Sequence, residues 1–311
     1  MKRKMKWGTV ILAIVLIAGG VTVLLTHAIA WPKAVDHVLS DVFGHHFAKT
    51  TNLSYEKGAN GESIHESYYT LSANEPFNLS TELIQADVVI EQAEGDQLGV
   101  QIKTTRPEDY RIDRTQTEWV IKEKKQVFFW PFGEKNRKKA EIILRMPTHS
   151  VDVNLEIVNG NVTVEACGAD LTVETVNGQI AVTDATFKEG NLEAVNGQIL
   201  VNQSKFLTTL DLAIVNGTLE INQVEADEFS LETVNGAVSL SNLAGEELSV
   251  DTVNGDFNGK NLYLRHLEVE QLSGKFTLVN EDLDYQIQSL TRSKMSGKDQ
   301  IEANILNFYT D

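Results

Sequence analysis

The sequence predicts an all-β fold: a right-handed parallel β-helix (β-solenoid) of V-N-G repeats, each roughly 19 residues long, preceded by an N-terminal transmembrane helix. Three observations predict it. One phrase recurs, as I-V-N-G at 157–160 and 214–217, T-V-N-G at 175–178, 233–236 and 252–255, A-V-N-G at 194–197, and a drifted Q-L-S-G at 271–274. Its asparagines stand at 159, 177, 196, 216, 235 and 254, with Ser273 next in line, and so even a spacing marks a repeat architecture. Apolar residues alternate before and after each N-G, as in Leu171-Thr-Val173-Glu-Thr-Val176-Asn177-Gly178-Gln-Ile180-Ala-Val182, which is strand patterning on both sides of a corner.

Residues 1–6 are a basic N-terminus, with Lys2, Arg3, Lys4 and Lys6. Residues 7–30 read as a membrane anchor: the run Trp7 to Leu25 carries no charge and is long enough to span a bilayer. The basic cluster before it puts the N-terminus in the cytoplasm and the rest outside. Ala28-Ile29-Ala30 also fits a signal-peptide cleavage site, so cleavage stays the alternative to a retained anchor. Residues 31–76 hold a juxtamembrane helix and linker. Val35, Val38, Leu39, Val42 and Phe43 have helical spacing there, and His37, Asp41, His45 and His46 are read as solvated residues, not as a metal site. Residues 77–150 are a β-rich segment with an inserted hairpin. Its Leu83 to Glu91 has the shape of 157–165 without the N-G.

Residues 151–297 are the solenoid. An ordinary N-G hairpin at each repeat gives no reason for identical residues to recur at a fixed distance. Stacked coils do, since like residues then lie one above another at the strand spacing of about 4.8 Å. The turn ladder is Asn159-Gly160, Asn177-Gly178, Asn196-Gly197, Asn216-Gly217, Asn235-Gly236 and Asn254-Gly255, with glycine supplying positive φ and asparagine stacking along the axis. The Val of each V-N-G, from Val158 to Val253 with Leu272, is expected as one inward column. A second runs through Val162, Ile180, Ile199, Leu219, Val238, Phe257 and Phe276. Tyr285, Ile287 and Leu290 repeat the spacing of Leu267, Val269 and Leu272 one period later and suggest a last, decayed coil. Residues 298–311 are expected to cap the open end.

Four of the 27 Lys and Arg precede the anchor. Beyond it 23 face 44 Asp and Glu, a net −21, which argues against a nucleic-acid partner. The single cysteine, Cys167, excludes an intramolecular disulfide and is expected as a buried small residue. Two features could carry binding. Glu156, Glu174, Glu193, Glu232, Asp251 and Glu270 stand two residues before the Val of their repeats, with Ala213 the exception. They form an acidic column that either keeps the surface soluble or receives cationic peptides or a basic partner. The excursion with Phe128, Phe129, Trp130, Phe132, Lys135, Arg137, Lys138 and Lys139 suits an anionic membrane surface or another envelope protein, or else folds back over the first coil. No nucleophile elbow, zinc motif or phosphate loop is present, and identical acids at every repeat read as structure, not as one paired-carboxylate site. No enzyme, cofactor or metal is expected.

The V-N-G copies at 158–255, and the run Ala140 to Ser150 leading into Val151-Asp-Val-Asn-Leu-Glu-Ile-Val-Asn-Gly160, resemble a bacterial β-strand-repeat family, the adhesin-like "toast-rack" domain of unknown function. The resemblance covers roughly residues 77–311. It implies a right-handed β-solenoid outside the cell, in an envelope protein of the kind found in Lia-type responses to envelope stress and antimicrobial peptides. The family brings no catalytic residues. The alternatives are a surface adhesin and a carbohydrate-active β-helix enzyme.

Overall fold

The computed structural model describes residues 49–51, 53–71, 76–124, 138–147 and 151–310. The basic N-terminus, the anchor and the histidine-bearing amphipathic stretch therefore lie outside the described residues, as does the excursion apart from Lys138 and Lys139. No helix among the described residues is long and apolar enough to cross a membrane.

From residue 151 the chain winds into parallel coils stacked in register. Val173 lies beside Leu155 and Leu192, Asn177 beside Asn159 and Asn196, and Ile180 beside Ile199. Each coil has three sides. In one coil the first side buries Leu171 and Val173, the second buries Ile180 and Val182, and the third buries Ala185 and Phe187. The columns these residues form make one continuous apolar core. Phe257 and Phe276 stack within it at 4.9 Å between ring centres. The second predicted column, Val162 through Phe276, is buried throughout.

The first predicted column is corrected. The inward residue is the one before the valine: Ile157, Thr175, Ala194, Ile214, Thr233, Thr252 and Gln271 are buried. Val158, Val176, Val195, Val215 and Val253 are half-exposed, and among these valines only Val234 is buried. Period-two alternation starts from Leu171 and Val173 and places Thr175 inside. The same alternation carried one residue further turns the valine outward, beside the acid two residues before it. Cys167 is likewise half-buried, because Ala166 takes the inward place.

The N-terminal coils are not laid down in chain order. Phe77–Gln92 pairs in parallel with Val151–Asn159 and Val162–Glu165 on one side, and with Glu118–Glu123 and Ala140–Met146 on the other. Leu83, Gln85 and Val88 sit beside Ile157, Asn159 and Val162, as the matching patterns predict. The outermost coil is sealed by antiparallel strands. Tyr110–Arg114 covers Glu118–Glu123, Gln97–Thr104 covers Ala140–Met146, and Ser63–Thr70 covers Gln97–Thr104. Among the described residues the parallel edge of this end is thus covered, and the outer antiparallel strand Ser63–Thr70 is met beyond by Glu56–Lys57 at Ser63 and Ile64.

The C-terminal end differs from both expectations. Leu290 lies beside Leu267, and Arg292 beside Val269, a longer step than the expected match of Leu290 to Leu272. The extra residues loop out after Asn280, whose buried amide donates to the Leu262 carbonyl and accepts from its N–H. Residues expected to cap the array continue it. Asp299–Glu302 pairs in parallel with Phe276–Val279, and Asn304–Thr310 with Gln286–Ser296.

Candidate acidic face and its corner ladder

The first side of every coil is bounded by the Asn-Gly corner. Each asparagine amide donates to the Oδ1 of the asparagine one coil earlier, from Asn177 on Asn159 at 2.9 Å through Asn196, Asn216 and Asn235 to Asn254 on Asn235 at 3.2 Å. The Ser273 hydroxyl closes the run on Asn254 at 3.3 Å. The glycine is needed chiefly for close approach. A Cβ on Gly160, Gly178, Gly197, Gly217, Gly236 or Gly255 would stand 1.7 to 2.0 Å from the carbonyl oxygen of the coil before. Only Gly197 and Gly217 among them also have positive φ, +148° and +150°, so the expected role of positive φ holds at those two alone.

This register stacks the predicted acids. Glu156, Glu174 and Glu193 are neighbours in successive coils, and Ala213 separates them from Glu232. Glu232, Asp251 and Glu270 follow. The column is therefore two runs of three carboxylates, interrupted at Ala213. In each run the central acid is the perturbed one. Burial, then the charges of Glu193 and Glu156, push the Glu174 carboxyl up to about 7. Burial, then Glu270, Glu232 and Glu268, push Asp251 up to about 7. A carboxylate flanked on both sides by like charges at the strand spacing, and partly removed from water, holds its proton to higher pH.

Two neighbours of the column were not foreseen. Glu82 extends it one coil upstream, beside Glu156, and is ion-paired with Lys122 of the outermost coil. Its equivalence to Glu156 was already implicit in the match between 83–91 and 157–165. Second, the half-exposed valines of the corner stand two residues on from each acid, so by strand alternation an aliphatic stripe runs alongside the acidic one.

Elsewhere the residues singled out by sequence are dispersed. Lys139 is ion-paired with Asp87 at 2.9 Å, and the same carboxylate accepts the Asn161 N–H. Among the described residues no three His, Cys, Asp or Glu side chains converge as a metal site. A further corner went unread: Asp184, Gln203, Gln223, Asn242 and Asn261 all have left-handed φ, between 48° and 55°. Asn222 donates to Asn202 at 2.8 Å, and Asn242 to Asn222 at 3.1 Å. Its signal was a polar residue recurring once in every repeat.

Stacked in-register coils, a buried three-sided core and an asparagine corner ladder define a parallel β-solenoid. Residues 77–303 match the Toastrack DUF4097 family, and the chain belongs to that family. Among solved structures it is similar to a candidate adhesin from Parabacteroides merdae, at 14% identity and TM-score 0.41, over 80% of this chain and 96% of that one. It is also similar to a candidate lipid-binding protein from Parabacteroides distasonis, at 12% identity and TM-score 0.43, over 78% and 96%. The comparison with curated proteins finds no match.

Proposed function

We propose that this chain is a non-enzymatic binding module of the bacterial cell envelope, anchored by its N-terminal apolar segment with the solenoid outside, and that its acidic face receives cationic amphipathic peptides. One observation carries the reading: acids at a single register position are stacked coil upon coil beside a stripe of half-exposed valines. Like charges in a ladder cost stability. A peptide with basic and apolar residues offsets that cost and covers both stripes at once. A role in envelope stress follows, since such peptides are what damages an envelope.

The test is titration of the full chain, held in detergent micelles, with a synthetic Lys- and Leu-rich amphipathic peptide at low and at physiological salt. Saturable binding is expected at both. The triple variant Glu174→Gln, Glu193→Gln, Glu232→Gln should bind more weakly and with a flatter salt dependence. An unchanged affinity in that variant rejects the acidic face as the site. The topology is checked separately, by digestion of the solenoid with protease added outside intact cells.

A further inference from the structure

Two short strands strap the N-terminal end of the stack, and few contacts hold them. Lys49–Thr51 runs antiparallel along the outer edge of Tyr110–Arg114, and Glu56–Lys57 along that of Ser63–Thr70 at Ser63 and Ile64. Between them Leu53 is half-buried against the core. A segment with so little burial opens easily, so a single strong contact decides whether it stays down. That contact is His65, 5% exposed. Its Nδ1 donates to the Ser54 carbonyl at 2.7 Å, and the Tyr55 ring lies beside it with 5.6 Å between ring centres. The other face of the imidazole is committed too. Nε2 accepts from the Ser67 hydroxyl at 2.5 Å, and the Ser67 oxygen accepts from the Arg114 guanidinium at 2.6 Å. This relay, from Arg114 through Ser67 and His65 to Ser54, assigns the neutral ring with its proton on Nδ1.

We propose that His65 is an acid-released latch: the neutral ring holds the strap on the end of the solenoid, and the protonated ring lets residues 49–51 and 54–57 go. A second proton, on Nε2, would meet a hydroxyl that already points its own proton at the ring, with a fixed cation behind it. Arg114 is kept there by Trp119, whose ring centre is 4.3 Å from the guanidinium carbon. The groups that face the ring are Tyr55 from the strap, Arg114 from Tyr110–Arg114, Glu66 from its own strand, and the uncharged Ile102 from Gln97–Thr104. Burial, with Arg114 adding to it, pulls the imidazole below its ordinary 6.5, against the opposing pull of the Ser54 hydrogen bond and of Glu66. Above 6.5 neither the docked nor the released ring binds the proton, and the latch holds. Below 6.5 the released ring takes a proton that the docked ring resists, so docking weakens as pH falls. Release leaves the solenoid intact, because Gln97–Thr104 and Tyr110–Arg114 stay paired with Ala140–Met146 and Glu118–Glu123. It bares the outer edges of Tyr110–Arg114 and Ser63–Thr70 to another strand. This inference is independent of the acidic face.

The experiment is hydrogen exchange on the full chain in detergent micelles, at about pH 7.5 and about pH 5.5, corrected for intrinsic rates and read on peptides spanning 49–57. Protection of the strap should fall by up to about tenfold from the higher pH to the lower, while Ala140–Met146 keeps its protection. The acid-stacked coil Asp170–Thr183 should change in the opposite direction, which separates the latch from a general effect of acid. His65→Gln cannot take the proton and should remove the pH dependence of the strap, whether or not it still holds it down. Should that variant fail to fold, Arg114→Gln serves instead. With the like charge gone the ring protonates more readily in place, and the fold-change should shrink. Equal strap protection at the two pH values in the parent overturns the proposal. So does a parent-like pH dependence in His65→Gln, or, where that variant does not fold, an undiminished one in Arg114→Gln.

Discussion

Replacing Glu174 by Gln should stabilise its coil at neutral pH and leave it nearly unchanged at pH 4. The folded coil holds the Glu174 proton up to about pH 7, against an ordinary value of 4.5. Below 4.5 both folded and unfolded chains are protonated there, and no difference arises. Between 4.5 and about 7 the unfolded chain releases a proton that the folded chain keeps, so stability falls as pH rises through this window and stays low above it. For a fully sequestered group the penalty would be ~3 kcal/mol. Glu174 is partly open to solvent, and screening reduces the figure to about 1–2 kcal/mol. Glutamine removes the ionisation while keeping shape and hydrogen-bonding capacity. A repeat array need not unfold in one step, so the measurement should be local. Hydrogen exchange of the backbone amides in Asp170–Thr183, corrected for the intrinsic rate, gives the opening free energy at pH 5 and pH 8. The parent coil should lose protection between the two, and the variant should lose about 1–2 kcal/mol less. Equal pH slopes in parent and variant would refute the account of the column as a set of mutually repelling carboxylates.

Asn216→Ala removes one ladder bond to Asn196 and one from Asn235 and should cost about 1–2 kcal/mol in urea denaturation. Asn254→Ala, whose upper neighbour is only the Ser273 hydroxyl, should cost less. Gly217→Ala should be far worse, about 3 kcal/mol or more, because the new Cβ meets the Gly197 carbonyl at 1.8 Å with φ at +150°. The check is loss of protection in the two coils that meet there. Arg292, 1% exposed, donates to the Gln271 Oε1 at 2.6 Å and is ion-paired with Asp299 at 3.5 Å, and Arg292→Val alone should cost about 2 kcal/mol or more by taking this partner from the Gln271 Oε1 and from the Asp299 carboxylate. Adding Gln271→Thr should recover the part due to Gln271 in a melting experiment, the lost ion pair to Asp299 remaining. Together the two changes restore what the same columns carry earlier: Val250 and Val269 in one, Thr233 and Thr252 in the other.

The parts of the fold legible in sequence are those where one interaction repeats with one residue type. Asn159 through Asn254 are identical because each amide must meet the amide of the next coil, and the glycines because any Cβ would strike a carbonyl. The acidic column was legible for the same reason. Where a position asks only for a small or apolar filling, identity drifts and the eye follows the wrong residue. Thr175, Ala194, Ile214 and Gln271 share one buried column, yet the near-constant valine beside them looks more like core. Arg292 shows how far the drift goes at the last full coil. A guanidinium occupies the place of Val269 because the Phe276 ring, 4.8 Å away, and the Gln271 amide receive it.

Coil order was illegible for a different reason. Alternation reports which face a residue takes, not which strand lies next to it, so nothing local in Phe77–Gln92 says that Glu118–Glu123 and Ala140–Met146 return to its outer edge. The clue is energetic. An open parallel edge needs cover, and the irregular block 77–146 is the only part of the solenoid's N-terminal half without the repeat.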